Sequence, residues 1–85
     1  MKNSPNFARS ARKELQSLHS AIAIRILDKI EILSSEPRPP GSKKLSGPGS
    51  LWRLHVGEYR VIYDIDDRNV VVDVSVVRHR KEAYR

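Results

Sequence analysis

The sequence contains no cysteine, and this absence excludes disulfide bonds and thiolate metal sites. A chain without cysteine is typical of a reducing compartment. No apolar run approaches the roughly 20 residues that are needed to span a bilayer. The N-terminal residues MKNSPNFARSARKEL also lack the apolar core of a signal peptide. We therefore expect a cytoplasmic protein with no membrane-spanning segment.

The sequence is also poor in patterns that hold metals or cofactors. His19, His55 and His79 show no metal-ligand spacing, and a solvated turn explains the acidic residues of the DDRN stretch. No glycine-rich phosphate-binding motif is present, because Gly57 falls in a predicted hairpin turn and the other glycines lie in a proline-rich loop. We expect neither a metal nor another cofactor.

What the chain has in excess is positive charge. Its 85 residues carry a formal net charge of +6, and the last eight residues, RHRKEAYR, hold four basic side chains against one acidic side chain. This balance favours an anionic partner such as nucleic acid, an acidic protein or a membrane surface, with ordinary solubility charge as the alternative. A chain of this length buries roughly 60% of its unfolded surface, so we expect one domain over residues 1–85.

The N-terminal half shows helical periodicity in two stretches. Ser10 is a suitable N-cap, and apolar residues follow at helical spacing until the pattern shifts its face after residues 19–20. We predict two helices, or one bent helix, that form an αα-hairpin and end near residues 34–35, because Pro37 restricts the residue before it. The apolar positions that predict these helices are Ala11, Leu15, Leu18, Ile22, Ile26, Ile30 and Leu33.

Two segments are predicted to be irregular. Residues 1–7 are ambiguous between a loop and a short edge strand, because Pro5 cannot donate to a ladder. Residues 34–50, SSEPRPPGSKKLSGPGS, form a loop by composition, since four prolines and three glycines leave no periodicity. Lys43 and Lys44 lie in this loop, either as solvated lysines or as nucleic-acid contacts.

The C-terminal half changes to a period of two, which predicts antiparallel strands. Gly57 and Glu58 suit a two-residue turn of type II′, with glycine at the first central position. Because turn length sets hairpin register, we expect His55 to lie opposite Arg60, and Arg53 opposite Ile62.

The third strand follows a second, longer turn. If residues 66–69, DDRN, form a four-residue turn, Ile65 pairs with Val70. Arg60 then lies opposite Ser75.

The predicted sheet has two faces of different chemistry. One face is apolar and needs the helices as its cover, so the fold class is α+β, with the N-terminal αα-hairpin packed on one face of a small antiparallel sheet. The other face carries Arg53, His55, Arg60, Asp73 and Ser75, and the parity also places His79 there. The alternative is an ordinary solvated face on which Asp73 balances Arg60.

Arginine and histidine together suit phosphodiester cleavage without a metal. Arginine presents a planar fork of donors to phosphate oxygens, and histidine transfers protons near neutral pH. In RNA the 2′-hydroxyl attacks the adjacent phosphorus, and this reaction needs a proton acceptor, a proton donor for the leaving 5′-oxygen and cations for the developing charge.

These segments resemble the RelE/ParE toxin superfamily and its RelE-like branch from about residue 8 to residue 85. The resemblance rests on SARKELQSL, PRPPGSKKLSG, LWRLHVGEYRVIYDIDD and VVRHRKEAYR, in that order; its most specific parts are W-R-L-x-V-G-x-Y-R-V-I-Y and H-R-x-x-x-Y. It implies the toxin of a type II toxin–antitoxin pair, an endoribonuclease that cuts mRNA in the A site of the 70S ribosome without metal. It also implies a cognate antitoxin as partner, and no membrane.

The resemblance implies a role for each matching residue. Arg53 would contact the substrate phosphate or help to activate the 2′-hydroxyl, His55 takes the next basic position, and Arg60 would stabilise the transition state. His79 or Arg80 matches a C-terminal basic residue that acts as general acid, and Tyr84 matches a tyrosine that stacks on a base. The predicted RNA-binding residues are Lys43, Lys44, Arg78, Lys81 and Arg85. The alternatives are a ParE-like gyrase inhibitor without nuclease activity and a basic RNA-binding domain without catalysis.

Overall fold

The computed structural model describes residues 4–45, 47, 49–69, 71–79 and 81. Over these residues the chain forms a five-stranded sheet and two helices. In chain order the elements are β1 (Asn6–Phe7), α1 (Arg9–Ser17), α2 (Ser20–Leu33), β2 (Lys43–Lys44), β3 (Leu51–Val56), β4 (Tyr59–Asp66) and β5 (Val71–His79). Neither helix is long and apolar enough to cross a membrane.

The two predicted helices are both present, and each buries most of the stripe that its spacing indicated, although Leu18 is only half-buried and Ile22 is exposed. Ala11 and Leu15 of α1 are buried, as are Ile26, Ile30 and Leu33 of α2. These positions are three or four residues apart and therefore lie on one side of each helix. The stripes join the apolar side of the sheet in one core cluster, so the predicted α+β fold class is confirmed.

The helix boundaries differ from the prediction at one end. The N-cap of α1 is Ala8, which provides no side-chain hydrogen bond, so the prediction of Ser10 as the N-cap was wrong. Ser10 lies in the first turn of the helix, and its hydroxyl donates to the Ser75 carbonyl at 3.5 Å. Between the helices, His19 is the N-cap of α2, and its Nδ1 accepts from the backbone N–H of Ala21 at 3.3 Å.

The strands are arranged in the order β1-β5-β4-β3-β2. β1 is parallel to β5, and all other neighbouring pairs are antiparallel. The sheet gains its outer strands from the two segments that sequence left irregular. Residues 1–7 supply β1, and the predicted loop supplies β2, where Lys43 pairs with Arg53 and Lys44 with Trp52.

The β3–β4 hairpin has the predicted register. His55 pairs with Arg60, and Arg53 pairs with Ile62. Gly57 has a φ of 60°, which the first central residue of a type I′ or II′ turn requires and which glycine adopts without a steric penalty. The turn therefore fixes which side chains of β3 and β4 share a face.

The predicted register of β4 and β5 was wrong at two points: at the turn, because β4 continues to Asp66, which pairs with Val71, and at a bulge in β5. Ile65 pairs with Val72, not Val70, and the register shifts again between Ile62 and Tyr63. Tyr63 pairs with Val74 and Ile62 with Val76, so Ser75 is an extra residue on β5. An extra residue in one strand reverses the faces of all residues that follow it.

The core confirms this reversal. Val77, not Val76, is the buried valine near the end of β5, at 1% exposure. Val77 pairs with Val61, which is fully buried. Tyr63 is also fully buried, and its hydroxyl donates to the Pro37 carbonyl at 2.8 Å. This hydrogen bond ties the start of the loop after α2 to the centre of the sheet.

Candidate active site

The side of the sheet that faces away from the helices carries the candidate site. Its side chains alternate along β3 and β4 with the core residues Leu54, Val56, Val61 and Tyr63 and therefore point to the opposite side. We call this surface the basic face and define it by its cationic and imidazole side chains, which are half-buried or exposed. Its members are Lys43, Arg53, His55, Arg60 and Arg78.

The strand register places these side chains in two neighbouring rows. His55 lies opposite Arg60, and Arg60 lies opposite Arg78. In the second row Lys43 lies opposite Arg53, and Arg53 opposite Ile62. Adjacent strands are about 4.8 Å apart, so three strands bring two guanidinium groups and an imidazole ring within reach of one anion.

Arg60 and Arg78 are the central feature of the basic face. They come from β4 and β5 and are directly opposite in the register. Like charges in this position destabilise a sheet by self-repulsion. An anion bound between the two arginines would be attracted by both of them, because two arginine forks match the oxygens of a phosphate. The arrangement is therefore suited to binding a phosphate.

The opposite end of the same surface is acidic. Asp64 pairs with Leu51 on one side and with Asp73 on the other. The Ser50 hydroxyl donates to Asp64, and the Asn6 amide donates to Asp73 at 3.1 Å. Positive charge is thus confined to the end of the face near the β3–β4 turn.

Asp73 does not balance Arg60, as the alternative interpretation required. Asp73 pairs with Asp64, four residues along β4 from Arg60, which is roughly 13 Å at the usual rise of a strand. The residue that occupies the expected place opposite Arg60 is Arg78. Asp73 is therefore not the partner of Arg60.

His79 does not lie on the basic face, and the prediction that placed it there was wrong. The bulge at Ser75 turns it toward the helix side, where it pairs with Tyr59. The two rings meet edge to face, with centroids 5.2 Å apart. His79 Nε2 lies 3.2 Å from Glu58 Oε2, and the backbone N–H of Lys81 donates to His79 Nδ1 at 3.2 Å.

The remaining predicted residues are only partly placed. Lys43 shares the basic face through its pairing with Arg53, whereas Lys44 pairs with Trp52 and belongs to the other face. Lys81 is exposed just beyond β5. Three predicted residues, Arg80, Tyr84 and Arg85, lie outside the described part of the chain.

Arg38 is a structurally important residue that sequence reasoning did not identify. Its guanidinium forms two hydrogen bonds to the Asp67 carboxylate, at 3.1 and 2.9 Å, and it lies over the Trp52 ring at 5.2 Å. It thus ties the long loop both to the β4–β5 turn and to β3 beside Arg53. Arg38 lies in the loop over residues 34–50, which has no periodicity. The sequence therefore contains no indication that Arg38 pairs with Asp67.

Two carboxylates of the β4–β5 turn have perturbed acidity. The hydrogen bond from Arg38 lowers the pKa of Asp67, and the same bond raises the pKa of Arg38. Hydrogen bonds from Asn69 lower the pKa of Asp66. Both carboxylates are held in their charged forms by partners within the protein. They contribute to the turn and are remote from the basic face's arginines.

The described residues offer no group of three or more His, Cys, Asp or Glu side chains that could hold a metal ion.

A class of small toxins shares this α+β fold, in which a helical hairpin covers one face of the sheet. The family model of the ParE toxin of the type II toxin–antitoxin system parDE matches residues 6–84. Toxin RelG of Mycobacterium tuberculosis is 34% identical over 83 residues, which cover 93% of this chain and 92% of that protein.

Solved structures agree with this match. The RelE–RelB complex of Pyrococcus horikoshii OT3 contains a chain with a TM-score of 0.82 and 33% identity, covering 94% of this chain and 97% of that one. The isolated Escherichia coli RelE toxin has a TM-score of 0.76 and 29% identity, covering 93% and 87%. This chain belongs to the RelE/ParE superfamily and is a type II toxin–antitoxin toxin.

Proposed function

We propose that this toxin is an endoribonuclease that cuts mRNA in the A site of the 70S ribosome without a metal. The observation that carries the proposal is the direct opposition of Arg60 and Arg78, with His55 beside them, on the face that the helices leave uncovered. Two arginine forks next to an imidazole provide phosphate binding and proton transfer in one place.

The chemistry follows from the requirements of 2′-hydroxyl attack. His55 takes the proton of the 2′-hydroxyl, because it is the one histidine on the basic face among the residues that the structure describes. The 2′-oxygen then bonds to phosphorus as the bond to the 5′-oxygen breaks. The 5′-oxygen takes up a proton, and the products are a 2′,3′-cyclic phosphate and a 5′-hydroxyl.

The arginines stabilise the charge that builds on the phosphoryl oxygens. Arg60 and Arg78 approach these oxygens from two strands, and Arg53 binds the phosphate from β3. Fixed cations that are already in place at the transition state stabilise it without reorganisation. The general-acid role of Arg80, which would supply the proton to the leaving 5′-oxygen, and the stacking role of Tyr84 remain predictions from the family resemblance. His79 lies on the helix side of the sheet and has no part in this mechanism.

The proposed partners are a cognate antitoxin, mRNA and the ribosome, in the cytoplasm. Support for the antitoxin comes from the relatives, since structurally similar chains from Pyrococcus horikoshii and Mycobacterium tuberculosis were solved as RelE–RelB and RelBE2 complexes. A net charge of +6 supports RNA partners, because phosphate contacts dominate such affinities.

Cleavage on programmed ribosomes tests the proposal. The purified toxin, incubated with translating ribosomes and a reporter mRNA, is expected to give in-frame cuts in the A site by primer extension. Arg60→Ala should reduce the cleavage rate by about tenfold or more. Arg25→Ala, an exposed arginine of α2, is the matched control and should cleave normally. Equal cleavage by wild type and a folded Arg60→Ala variant would contradict the proposal.

A second function has one observation in its favour, because the matching family model is described as the ParE toxin. That description supports a gyrase inhibitor without nuclease activity. A supercoiling assay with purified gyrase separates the two functions. Inhibition of supercoiling without any cut in ribosome-bound mRNA would replace the nuclease proposal.

A further inference from the structure

We propose that Glu58 and His79 form a latch on the helix side of the sheet that holds Arg78 opposite Arg60. Both are positioning residues in this proposal, which rests on the proposed nuclease function. The two side chains are joined by the contact between His79 Nε2 and Glu58 Oε2 at 3.2 Å, on the helix side of the sheet.

The end of β5 needs such a restraint. The pair of Arg60 and Arg78 is followed by one further pair, Tyr59 and His79, which is the last of the β4–β5 ladder. A contact at His79 is next to Arg78 in sequence and on the opposite side of the strand, so it restrains Arg78 without occupying the anion-binding side.

The ring of His79 is held on three sides. Nε2 faces Glu58, Nδ1 accepts the backbone N–H of Lys81 at 3.2 Å, and the ring packs at 86° against Tyr59. An Nδ1 that accepts a hydrogen bond carries no proton, so the neutral ring carries its hydrogen on Nε2 and donates it to Glu58. One tautomer satisfies both contacts.

The latch connects the elements that carry the basic face. Glu58 belongs to the turn between His55 and Arg60, and His79 follows Arg78 at the end of β5. One side-chain contact therefore ties the turn to the last residue of the neighbouring strand.

The exposure of the latch makes it testable without unfolding the protein. The Glu58 side chain is 73% exposed and that of His79 is 27% exposed. Truncating Glu58 therefore opens no core cavity. A loss of cleavage in a fully folded Glu58→Ala variant reports on positioning, because Glu58 contacts His79 on the helix side and is not part of the basic face.

Kinetics with translating ribosomes give the first test. Glu58→Ala should lower kcat about five- to tenfold with KM nearly unchanged, since a displaced Arg78 weakens transition-state contacts more than binding. Glu58→Gln should recover at least about half of the rate, because its amide oxygen still accepts from Nε2. Glu31→Ala, an exposed acidic residue of α2, is the control.

A double-mutant cycle separates positioning from general stability. In an Arg78→Ala background, Glu58→Ala should have almost no further effect on kcat, because the residue through which it acts is gone. Effects that multiply in the double variant would overturn the proposal. So would a Glu58→Ala variant with wild-type kcat while Arg60→Ala is inactive.

A spectroscopic test does not depend on nuclease activity. Nitrogen-15 NMR of the toxin should give an Nε2–H tautomer for His79, and Glu58→Ala should change the His79 resonances and speed amide exchange at Lys81. If no RNA is cut but Glu58→Ala still changes the His79 resonances and the Lys81 amide exchange, the nuclease proposal fails and the latch stands. If His79 carries its proton on Nδ1, the latch is wrong, whatever the activity.

Discussion

The β3–β4 and β4–β5 strand pairs lie side by side in one sheet, yet only the first could be registered correctly from sequence. In β3–β4 each face has its own chemistry, so a slip of one residue would bury His55 or Arg60 and expose Leu54 or Val61. In β5 the stretch VSVV offers two neighbouring valines for one core position. A strand register is well specified when one face is apolar and the other is polar. In β5 the side chains near the bulge differ little in polarity between the two faces.

A contact from outside the sheet accompanies the bulge. Ser10 of α1 donates to the carbonyl of Ser75, the extra residue of β5. Strand periodicity contains no information about a helix that lies 65 residues away in sequence. The consequence for the site is large, because the bulge exchanges the faces of Arg78 and His79.

The largest expected effect comes from placing a charge at each of the two valines. Val77→Asp should destabilise the protein by about 3–5 kcal/mol or prevent folding, because the carboxylate would be buried without a partner. Val76→Asp should cost less than about 1 kcal/mol, since Val76 is half-buried on the basic face. Urea unfolding of the two variants measures the difference. A register without the bulge predicts the reverse order.

The next effect concerns the arginine that the bulge brings to the basic face. Arg78→Ala should reduce ribosome-dependent cleavage about tenfold or more, equivalent to about 1.4 kcal/mol of transition-state stabilisation. Arg25→Ala again serves as the exposed control, and thermal unfolding checks that both variants are folded. An Arg78→Ala variant that cleaves at the wild-type rate would remove Arg78 from the site.

Deleting Ser75 also distinguishes a bulged β5 from an unbulged one, and its expected effect is smaller. Deletion of this one residue leaves Val77 paired with Val61 and Arg78 paired with Arg60, because Ser75 is the unpaired extra residue. We expect a loss of about 1 kcal/mol, mainly from the Ser10 hydrogen bond, and near-normal cleavage. In an unbulged strand the same deletion would reverse the faces and abolish cleavage.

The parts of the fold that sequence predicted are those with strong local patterns. The helical stripes, the end of α2, the glycine turn and the β3–β4 register each follow from spacing or turn chemistry. The outer strands β1 and β2 have two residues each, too few for a period, and they depend on pairing with distant strands. The Arg38–Asp67 pair spans 29 residues and had no local signal.

In the candidate site, the positions of the β3 and β4 residues were predicted correctly, and those at the end of β5 were not. Arg53, His55 and Arg60 share one face as expected, because the hairpin turn settles their register. Arg78 was predicted to bind RNA as part of the basic tail, and the structure places it in β5, opposite Arg60. The exchange of Arg78 for His79 on that face could not be foreseen, since it follows from the bulge alone.

The smallest expected effect is the pH dependence of the β4–β5 turn. Because Arg38 lowers the pKa of Asp67 below its ordinary 3.8, the carboxylate stabilises the fold above that value and loses this contribution as pH falls through the lower, folded pKa. Wild type should unfold at a higher temperature than Asp67→Asn at about pH 6, and the difference should disappear by about pH 2. Asp28→Asn on α2 is the control. Since both side chains of the ion pair are largely exposed, the shift should be small and should shrink further in high salt. A difference that persists unchanged at about pH 2 would mean that Asp67 stabilises the β4–β5 turn through something other than its charged pair with Arg38.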